Sequence, residues 1–151
     1  MEKKLKVAAL CNGTVIDHIP TNKLFKVVTI LHLDKLNNQV TVGNNLESKK
    51  IGAKGIIKIT DRILKDSETN KLALIIPQAI INIISNYEVV EKRTLSLPKE
   101  IKDLVQCANP NCITNNQPVS TLFFVHENNG EITLKCNYCE RETKIDKVKL
   151  L

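Results

Sequence analysis

The fold of the C-terminal third of the chain is decided by two short stretches, Cys107-Ala108-Asn109-Pro110-Asn111-Cys112 and Cys136-Asn137-Tyr138-Cys139. Each stretch places two thiols on a tight turn, and the residues between them are typical of two strands joined around Asn128-Asn129-Gly130. Two such turns can present four thiolates tetrahedrally at about 2.3 Å from a zinc ion, which is the closed coordination of a structural site. The spacing therefore predicts one structural zinc ion bound by Cys107, Cys112, Cys136 and Cys139, with no open position for catalysis by the metal.

A redox dithiol at Cys136 and Cys139 is the alternative interpretation of the second pair. It leaves the first pair unexplained, whereas a module of about 50 residues buries too little apolar surface to fold without a cross-link such as a metal ion. Cys11 is the fifth cysteine of the chain. It falls in an apolar run, which predicts a buried thiol.

The composition is that of a globular protein. A chain of 151 residues, with 42% apolar and 25% charged residues, can form one ordinary domain, or a domain of about 100 residues and a second, small one that needs a cross-link. No apolar run approaches the roughly 20 residues of a membrane-spanning helix. The start, Met1-Glu2-Lys3-Lys4, does not lead into a signal-peptide core. We therefore expect a cytoplasmic protein, whose thiols stay reduced.

The net charge of +6 is concentrated in the first half of the chain. Residues 1–66 hold twelve Lys and Arg against six Asp and Glu, while residues 100–151 hold six against seven. Four thiolates on one zinc ion would make the C-terminal third more negative still. An anionic ligand is therefore expected on the N-terminal half.

The pattern of apolar residues predicts an α+β fold for the first part of the chain. Apolar runs on both sides of Asn12-Gly13 predict two strands, and helices are predicted over residues 21–32 and 67–76. Two more strands are expected around a polar connection at residues 43–55, and residues 79–90 predict one long strand, with a helix as the alternative. This order implies an antiparallel or mixed sheet covered by helices, an α+β sandwich. We expect an antiparallel sheet with two helices, of the ferredoxin-like type.

Residues 92–98 read as a linker, because Pro98 and polar residues interrupt the periodic pattern. The predicted domains are therefore 1–96 and 97–151, the second being a small all-β, zinc-ribbon-like domain.

A polar cluster is predicted where the strands of the first domain end. Asp17 and His18 follow one strand, Lys54 and Lys58 lie on or just before another, and Lys92 closes the long one. Strand ends meet at one edge of a small sandwich, where a carboxylate and an imidazole can hydrogen-bond a ribose or a base while lysines meet phosphates. An ordinary solvated basic surface is the alternative.

The cysteine turns carry polar residues that could contact a partner: Asn109, Asn111, Glu140 and Arg141. The alternative is that the asparagines only serve the turn conformation.

The sequence does not predict an enzyme. Its glycines do not have the spacing of a phosphate-binding loop. His18, His32 and His126 are scattered and suggest no Ser/His/Asp arrangement, and His32, within a predicted apolar helix, is expected to be capped or in the core.

Three segments and the four cysteines occur in an order that resembles a known family. The segments are Gly13-Thr14-Val15-Ile16-Asp17-His18-Ile19-Pro20, Pro77-Gln78-Ala79 and Asn86-Tyr87-Glu88-Val89-Val90. Over nearly the whole chain they resemble the regulatory chain of aspartate carbamoyltransferase. One departure is Cys11-Asn12 before Gly13, where some relatives carry basic residues.

The resemblance implies a non-catalytic chain with an N-terminal nucleotide-effector domain and a C-terminal zinc domain that docks on the catalytic chain. It also implies ATP and CTP or UTP as effectors, control of pyrimidine biosynthesis, and dimers of regulatory chains that bridge catalytic trimers into a dodecamer. By position it assigns effector contacts to Lys4, Val7, Ala9, Leu10, Asp17, His18, Lys54, Lys58, Asn82, Ile84, Tyr87, Val89 and Lys92. It assigns contacts with the catalytic chain to Asn109, Asn111, Glu140 and Arg141.

A zinc-ribbon protein that binds nucleic acid is the alternative function. The aromatic content of 3% leaves few stacking platforms for bases, and residues 100–151 are acidic in balance. Both features weigh against it.

Overall fold

The computed structural model describes residues 9–49 and 51–151. It divides into two compact units, Met1–Ser96 and Leu97–Leu151, here the N-terminal and C-terminal units. The N-terminal unit contains β1 (Gly13–Ile19), α1 (Leu24–Ile30), β2 (Val40–Ser48), β3 (Gly52–Thr60), α2 (Asp66–Ile75), β4 (Ile80–Ser85) and β5 (Glu88–Thr94). The C-terminal unit contains β6 (Glu100–Lys102), β7 (Val105–Gln106), α3 (Ile113–Asn116), β8 (Leu122–Asn128), β9 (Glu131–Cys136), β10 (Glu142–Lys144) and β11 (Lys149–Leu150).

The N-terminal unit has one five-stranded sheet in the order β2-β3-β1-β4-β5, with every neighbouring pair antiparallel. Its first four strands and two helices follow the β-α-β-β-α-β order of a ferredoxin-like fold. Strand β5 extends this sheet beyond β4. The predicted α+β fold with two helices is therefore confirmed.

The core of this unit lies between one face of the sheet and the helices. Ile16 on β1 is paired with Ile57 on β3 and with Ile81 on β4, and all three side chains are buried. Leu24 of α1 is fully buried, and its Cδ1 atom would lie 3.0 Å from a Cβ added at Gly55, on the same face as Ile57. Because side chains alternate along a strand, the residues next to these lie on the opposite face of the sheet.

The polar connection predicted over residues 43–55 is wrong. Strand β2 continues to Ser48 and β3 begins at Gly52, so most of that segment is a hairpin. A register shift between Gly43 and Leu46 accommodates its polar residues, with Asn45 at φ +58. β2 is an edge strand with no buried residue, so it tolerates polar side chains that a central strand would not.

The single long strand predicted over residues 79–90 is also wrong, as is its helical alternative. Two strands, β4 and β5, are joined there by a tight turn in which Asn86 has φ +50 and Tyr87 has φ +65. Positive φ at both central residues fits the turn type that connects twisted antiparallel strands. The usual sequence signal, a glycine at the second turn position, is missing.

Three smaller predictions also differ from the structure. Helix α1 is shorter than expected, and His32 lies beyond its end, exposed and at φ +52. Ala9 to Cys11 form no strand, while residues 5–8 of the strand predicted there lie outside the described residues. Cys11 is half-buried, not buried, because it does not enter the sheet.

The C-terminal unit is built on a four-stranded antiparallel sheet in the order β10-β9-β8-β6, with a two-stranded sheet of β11 and β7. Phe123, Leu134 and Ile101 form its core together with three of the cysteines. An all-β domain was predicted here, but the short helix α3 follows Cys112, so the unit is not wholly β. Within the described parts of the chain, no helix has the length and apolar character needed to span a membrane.

Candidate metal centre and candidate ligand-binding face

The four predicted cysteines converge at one point of the C-terminal unit. Their Sγ atoms all lie within 4.8 Å of one another. The Sγ atoms of Cys107 and Cys139 are 3.6 Å apart, and those of Cys112 and Cys136 are 3.7 Å apart. Four sulfurs arranged tetrahedrally about 2.3 Å from a zinc ion have mutual distances of about 3.8 Å, against about 2.05 Å in a disulfide. The cluster therefore fits one zinc ion bound by four thiolates.

The first cysteine loop is held by a side chain that the sequence did not single out. The Asn115 amide on α3 donates hydrogen bonds to the carbonyls of Cys107 (2.9 Å) and Asn109 (2.7 Å). The Asn109 side chain accepts a hydrogen bond from the Asn111 backbone N–H at 3.0 Å. Asn115 lies three residues after a cysteine, which is the only sequence signal that could have pointed to this role.

The second cysteine loop is closed by its own backbone. The Cys136 N–H donates to the Arg141 carbonyl at 3.1 Å, and the Glu140 N–H donates to the Cys136 carbonyl at 3.0 Å. Glu140 has φ +61, which turns the chain back toward β10. Cys136 ends β9, so this loop is anchored in the sheet.

The surroundings raise the pKa of two of the four thiols and lower the pKa of the other two. Burial raises the pKa of Cys107 to about 12, and burial also raises the pKa of Cys136. For Cys139, burial is outweighed by hydrogen bonds from the Arg141 backbone, the Asn109 side chain and neighbouring thiols, which lower its pKa to about 7. Burial of Cys112 is likewise outweighed, chiefly by the hydroxyl and backbone of Thr114, so its pKa is lowered. Four thiolates this close repel one another, so their joint ionisation needs a cation, which zinc(II) supplies.

The four residues expected to contact a partner all lie on the cysteine loops. Asn111, Glu140 and Arg141 are exposed, and Asn109 is half-buried. The turn role left open by the sequence is observed for Asn109, whose amide oxygen accepts the Asn111 N–H. The other three side chains make no such hydrogen bond within the described residues.

In the N-terminal unit, strand register brings several predicted effector residues together. Lys58 on β3 is paired with Val15 on β1, Val15 with Asn82 on β4, and Asn82 with Lys92 on β5. Residues directly opposite each other on neighbouring strands have their side chains on the same face. These four residues, here the cross-strand row, therefore lie on the face opposite the helices. Val15, at its centre, was not among the predicted residues because only the register reveals its position.

Asp17 lies on the same face as the cross-strand row, two residues along β1 from Val15. Its Oδ1 atom is 2.9 Å from the Lys54 ammonium and accepts a hydrogen bond of 2.6 Å from the His18 backbone N–H. Burial lowers the pKa of Lys58, and the negative charge of Asp17 partly opposes this shift. Partly buried cations thus lie along a sheet face that can receive an anion.

His18 is turned out of regular strand geometry. Its φ is +59, and it lies where the pairing of β1 with β3 shifts register, between Ile16 and Ile19. Its Nδ1 atom is buried without a hydrogen-bond partner among the described residues. The side chain borders a cavity of about 520 Å³ that Thr21 and Gln78 also line. His18 is therefore next to, but not part of, the regular row.

The remaining predicted effector residues are distributed around the same sheet. Ile84 is paired with Val89 across β4 and β5, and Val89 and Tyr87 are exposed. Ala9 is exposed and Leu10 is buried, outside any strand. Lys4 and Val7 lie outside the described residues.

Together, a ferredoxin-like unit and a unit with a four-cysteine metal centre define a two-domain, zinc-binding protein. Two family models match the chain: "Aspartate carbamoyltransferase regulatory chain, allosteric domain" over residues 5–96 and "Aspartate carbamoyltransferase regulatory chain, metal binding domain" over residues 99–149. The chain belongs to the family of aspartate carbamoyltransferase regulatory chains.

Curated relatives with that same description match over almost their whole length. The chain is 52% identical to the relative from Phocaeicola vulgatus over 150 residues, which cover 99% of this chain and 96% of the relative. It is 51% identical to that of Porphyromonas gingivalis, with 99% of both chains covered. It is 48% identical to that of Yersinia pseudotuberculosis over 139 residues, which cover 92% of this chain and 90% of the relative.

Proposed function

We propose that this chain is the regulatory subunit of a cytoplasmic aspartate carbamoyltransferase and that nucleoside triphosphates bind to the N-terminal sheet face. The main support for this site is the cross-strand row of Lys58, Val15, Asn82 and Lys92. Lys58 and Lys92 lie on strands separated by β1 and β4, about 14 Å apart at the usual strand spacing. An elongated anion can therefore meet one or both lysines while Asn82 and Val15 contact its uncharged part.

The chemistry of the row suits a nucleotide. Lysine ammonium groups bind phosphates as point charges, and an asparagine amide can both donate to and accept from a base. The Asp17 carboxylate can accept a hydrogen bond from a ribose hydroxyl. The proposed effector residues are Lys4, Val7, Ala9, Leu10, Asp17, His18, Lys54, Lys58, Asn82, Ile84, Tyr87, Val89 and Lys92.

The division of charge supports the placement of an anionic effector in the N-terminal unit. Residues 1–66 carry six more basic than acidic side chains, whereas residues 100–151 carry one more acidic than basic. An anion is therefore drawn to the N-terminal unit and not to the metal centre, whose four thiolates exceed the charge of one zinc ion.

The zinc domain, residues 97–151, is proposed to dock on the catalytic chain through Asn109, Asn111, Glu140 and Arg141. Regulatory chains would pair as homodimers and bridge catalytic trimers into a dodecamer, as the resemblance implies. The zinc ion then has an indirect role: it fixes the two loops that carry the docking side chains.

ATP, CTP or UTP can each control the enzyme only by binding one of two states of the assembly more tightly than the other. In our proposal these nucleotides compete for the N-terminal effector site, and the signal passes through residues 92–100 into the zinc domain. Coupling energies of about 1–3 kcal/mol are typical, and linkage requires that substrate binding change nucleotide affinity by the same factor.

Calorimetric titration of the zinc-loaded full chain tests the effector site. We expect ATP and CTP each to bind and to compete with each other. Lys92→Ala should weaken binding about tenfold or more, because it removes a charge-assisted contact. Lys26→Ala is the matched control, since Lys26 is an exposed residue of α1, on the helix side of the sheet.

Two results would contradict the proposed site. One is the absence of competition between ATP and CTP. The other is equal weakening by Lys92→Ala and Lys26→Ala, which would indicate attraction by overall charge and not a site on the sheet face. The alternative of a nucleic-acid-binding zinc ribbon is not favoured, because both family models belong to the regulatory chain.

A further inference from the structure

The two residues before β1, Cys11 and Asn12, are hydrogen-bonded to the turn between β4 and β5. The Tyr87 N–H donates a hydrogen bond of 2.9 Å to the Cys11 carbonyl. The Asn86 N–H donates one of 3.2 Å to the Oδ1 atom of the Asn12 side chain, across 74 residues of sequence. Both central residues of the turn are therefore held by the segment that leads into β1. The turn with both hydrogen bonds formed is here called the closed turn.

The residues of this turn do not by themselves favour its conformation. Asn86 has φ +50 and Tyr87 has φ +65. Asparagine tolerates positive φ, but a tyrosine is uncommon there, and glycine is the usual residue at the second position. The strand that follows, β5, lies at the edge of the sheet and has no buried residue, so packing does little to fix the turn. Hydrogen bonds from outside the hairpin therefore contribute much of the local stability of the closed turn.

Asn12 is well placed to hold the turn because its own position is fixed. Its carbonyl accepts a hydrogen bond of 2.9 Å from the Asp61 N–H, which follows β3. Its amide nitrogen donates to the Cys11 Sγ atom at 3.4 Å, which leaves the amide oxygen facing the turn. The next residue, Gly13, is paired with both β3 and β4. The acceptor for the Asn86 N–H is thus anchored to the central strands of the sheet.

The closed turn adjoins the apolar end of the proposed effector site. Val89 is paired with Ile84, and the side chains of Val89 and Tyr87 are exposed. The cross-strand row, with its two lysines, crosses β4 at Asn82, two residues or about 7 Å from Ile84. The turn therefore orders side chains that suit the uncharged part of a nucleotide, whereas the row provides the cations.

We propose that Asn12 is a positioning residue of the nucleotide site. Its amide oxygen holds the turn closed, and the closed turn places Tyr87 and Val89 where they contact the uncharged part of the nucleotide. Asn12 itself does not contact the ligand. The inference rests on the proposed function. Because the nucleotide binds the closed turn, turn closure and nucleotide binding are linked, and each favours the other.

The test combines calorimetric titration of the zinc-loaded full chain with hydrogen exchange of the Tyr87 amide. Asn12 is exposed, so Asn12→Ala removes the acceptor and leaves the core intact. It should weaken binding of ATP and CTP about threefold or more, in keeping with the loss of one hydrogen bond, and should speed exchange of the Tyr87 amide in the ligand-free chain. Saturating CTP should slow that exchange toward the wild-type rate, because the ligand selects the closed turn.

Two further variants sharpen the test. Asn12→Asp keeps an acceptor of the same shape, so it should restore the exchange rate of the Tyr87 amide and bind CTP more tightly than Asn12→Ala does. Asn38→Ala is the matched control, because the Asn38 amide also donates a side-chain hydrogen bond to the backbone, 2.8 Å from the Thr60 carbonyl. Asn38 precedes β2, at the opposite edge of the sheet from β5, so the affinity of this variant for CTP should stay within about twofold of wild type.

The inference is overturned if Asn12→Ala binds ATP and CTP like wild type, or if Asn38→Ala weakens binding equally. It is also overturned if Asn12→Ala weakens binding while the Tyr87 amide exchanges at the wild-type rate, since Asn12 would then contact the ligand directly. Failure of the wild-type chain to bind either nucleotide would contradict the proposed function itself, and is distinguished by occurring without any substitution.

Discussion

Replacement of Gly13 by alanine should destabilise the N-terminal unit more than replacement of Gly52 or Gly55. Gly13 begins β1, is paired with Thr60 on β3 and has φ +140. A Cβ atom at this position would lie 2.0 Å from the Ile59 carbonyl oxygen and 3.0 Å from the Asp61 nitrogen. Both neighbours are backbone atoms, so β1 and β3 would have to separate.

The expected loss has two parts. Holding a residue with a side chain in this region of φ costs about 1–3 kcal/mol. Relieving the contact with a strand backbone, as in overpacked interiors, costs about 1–3 kcal/mol more. The sum, about 2–6 kcal/mol, is a large fraction of the total of about 5–15 kcal/mol that stabilises a domain.

Urea unfolding of the full chain, followed by circular dichroism, measures the loss, and hydrogen exchange of β1 and β3 amides assigns it to the N-terminal unit. Gly52→Ala is the matched control because Gly52 also has positive φ, +84, but has open space around its Cβ position. That control should lose only the backbone part, about 1–3 kcal/mol. Equal losses for the two variants would refute the argument from close approach.

Three further predictions concern single contacts and the metal. Thr14→Val should cost about 1–3 kcal/mol in urea unfolding, because the buried Thr14 hydroxyl donates a 2.6 Å hydrogen bond to the Arg62 carbonyl; an unchanged midpoint would contradict this. Removal of zinc by a chelator should abolish hydrogen-exchange protection of residues 97–151 while β1 to β5 stay protected, and persisting protection in the C-terminal unit would argue against a structural metal. Asn115→Ala should speed zinc release to a chelator, because it frees the carbonyls of Cys107 and Asn109; Asn128→Ala, on the exposed end of β8, should not.

The metal centre was predictable because its signal is local. Four cysteines in two pairs with short spacing restrict the possible geometry before any tertiary structure is known. The support from Asn115 was not predictable, since an asparagine near a cysteine is equally compatible with a turn that binds nothing.

The sheet was predictable in class but not in its register. Apolar periodicity indicates strands and helices, and their order indicated an α+β sandwich, a sheet covered by helices. The row from Lys58 to Lys92 depends on pairing between strands far apart in sequence, which no local pattern encodes. The β4–β5 turn was missed for a related reason: Asn86-Tyr87 lacks the glycine that usually marks such a turn.

In the proposed function, nucleotide binding on this chain controls a catalytic partner. The most direct test is the rate of carbamoyl transfer by the catalytic subunit at subsaturating aspartate, alone and assembled with this chain, with and without ATP or CTP. We predict a nucleotide effect only in the assembled enzyme, reduced by Lys92→Ala and retained by Lys26→Ala. The proposed control would be contradicted if nucleotides, at concentrations that saturate the isolated chain, left the rate of the assembled enzyme unchanged.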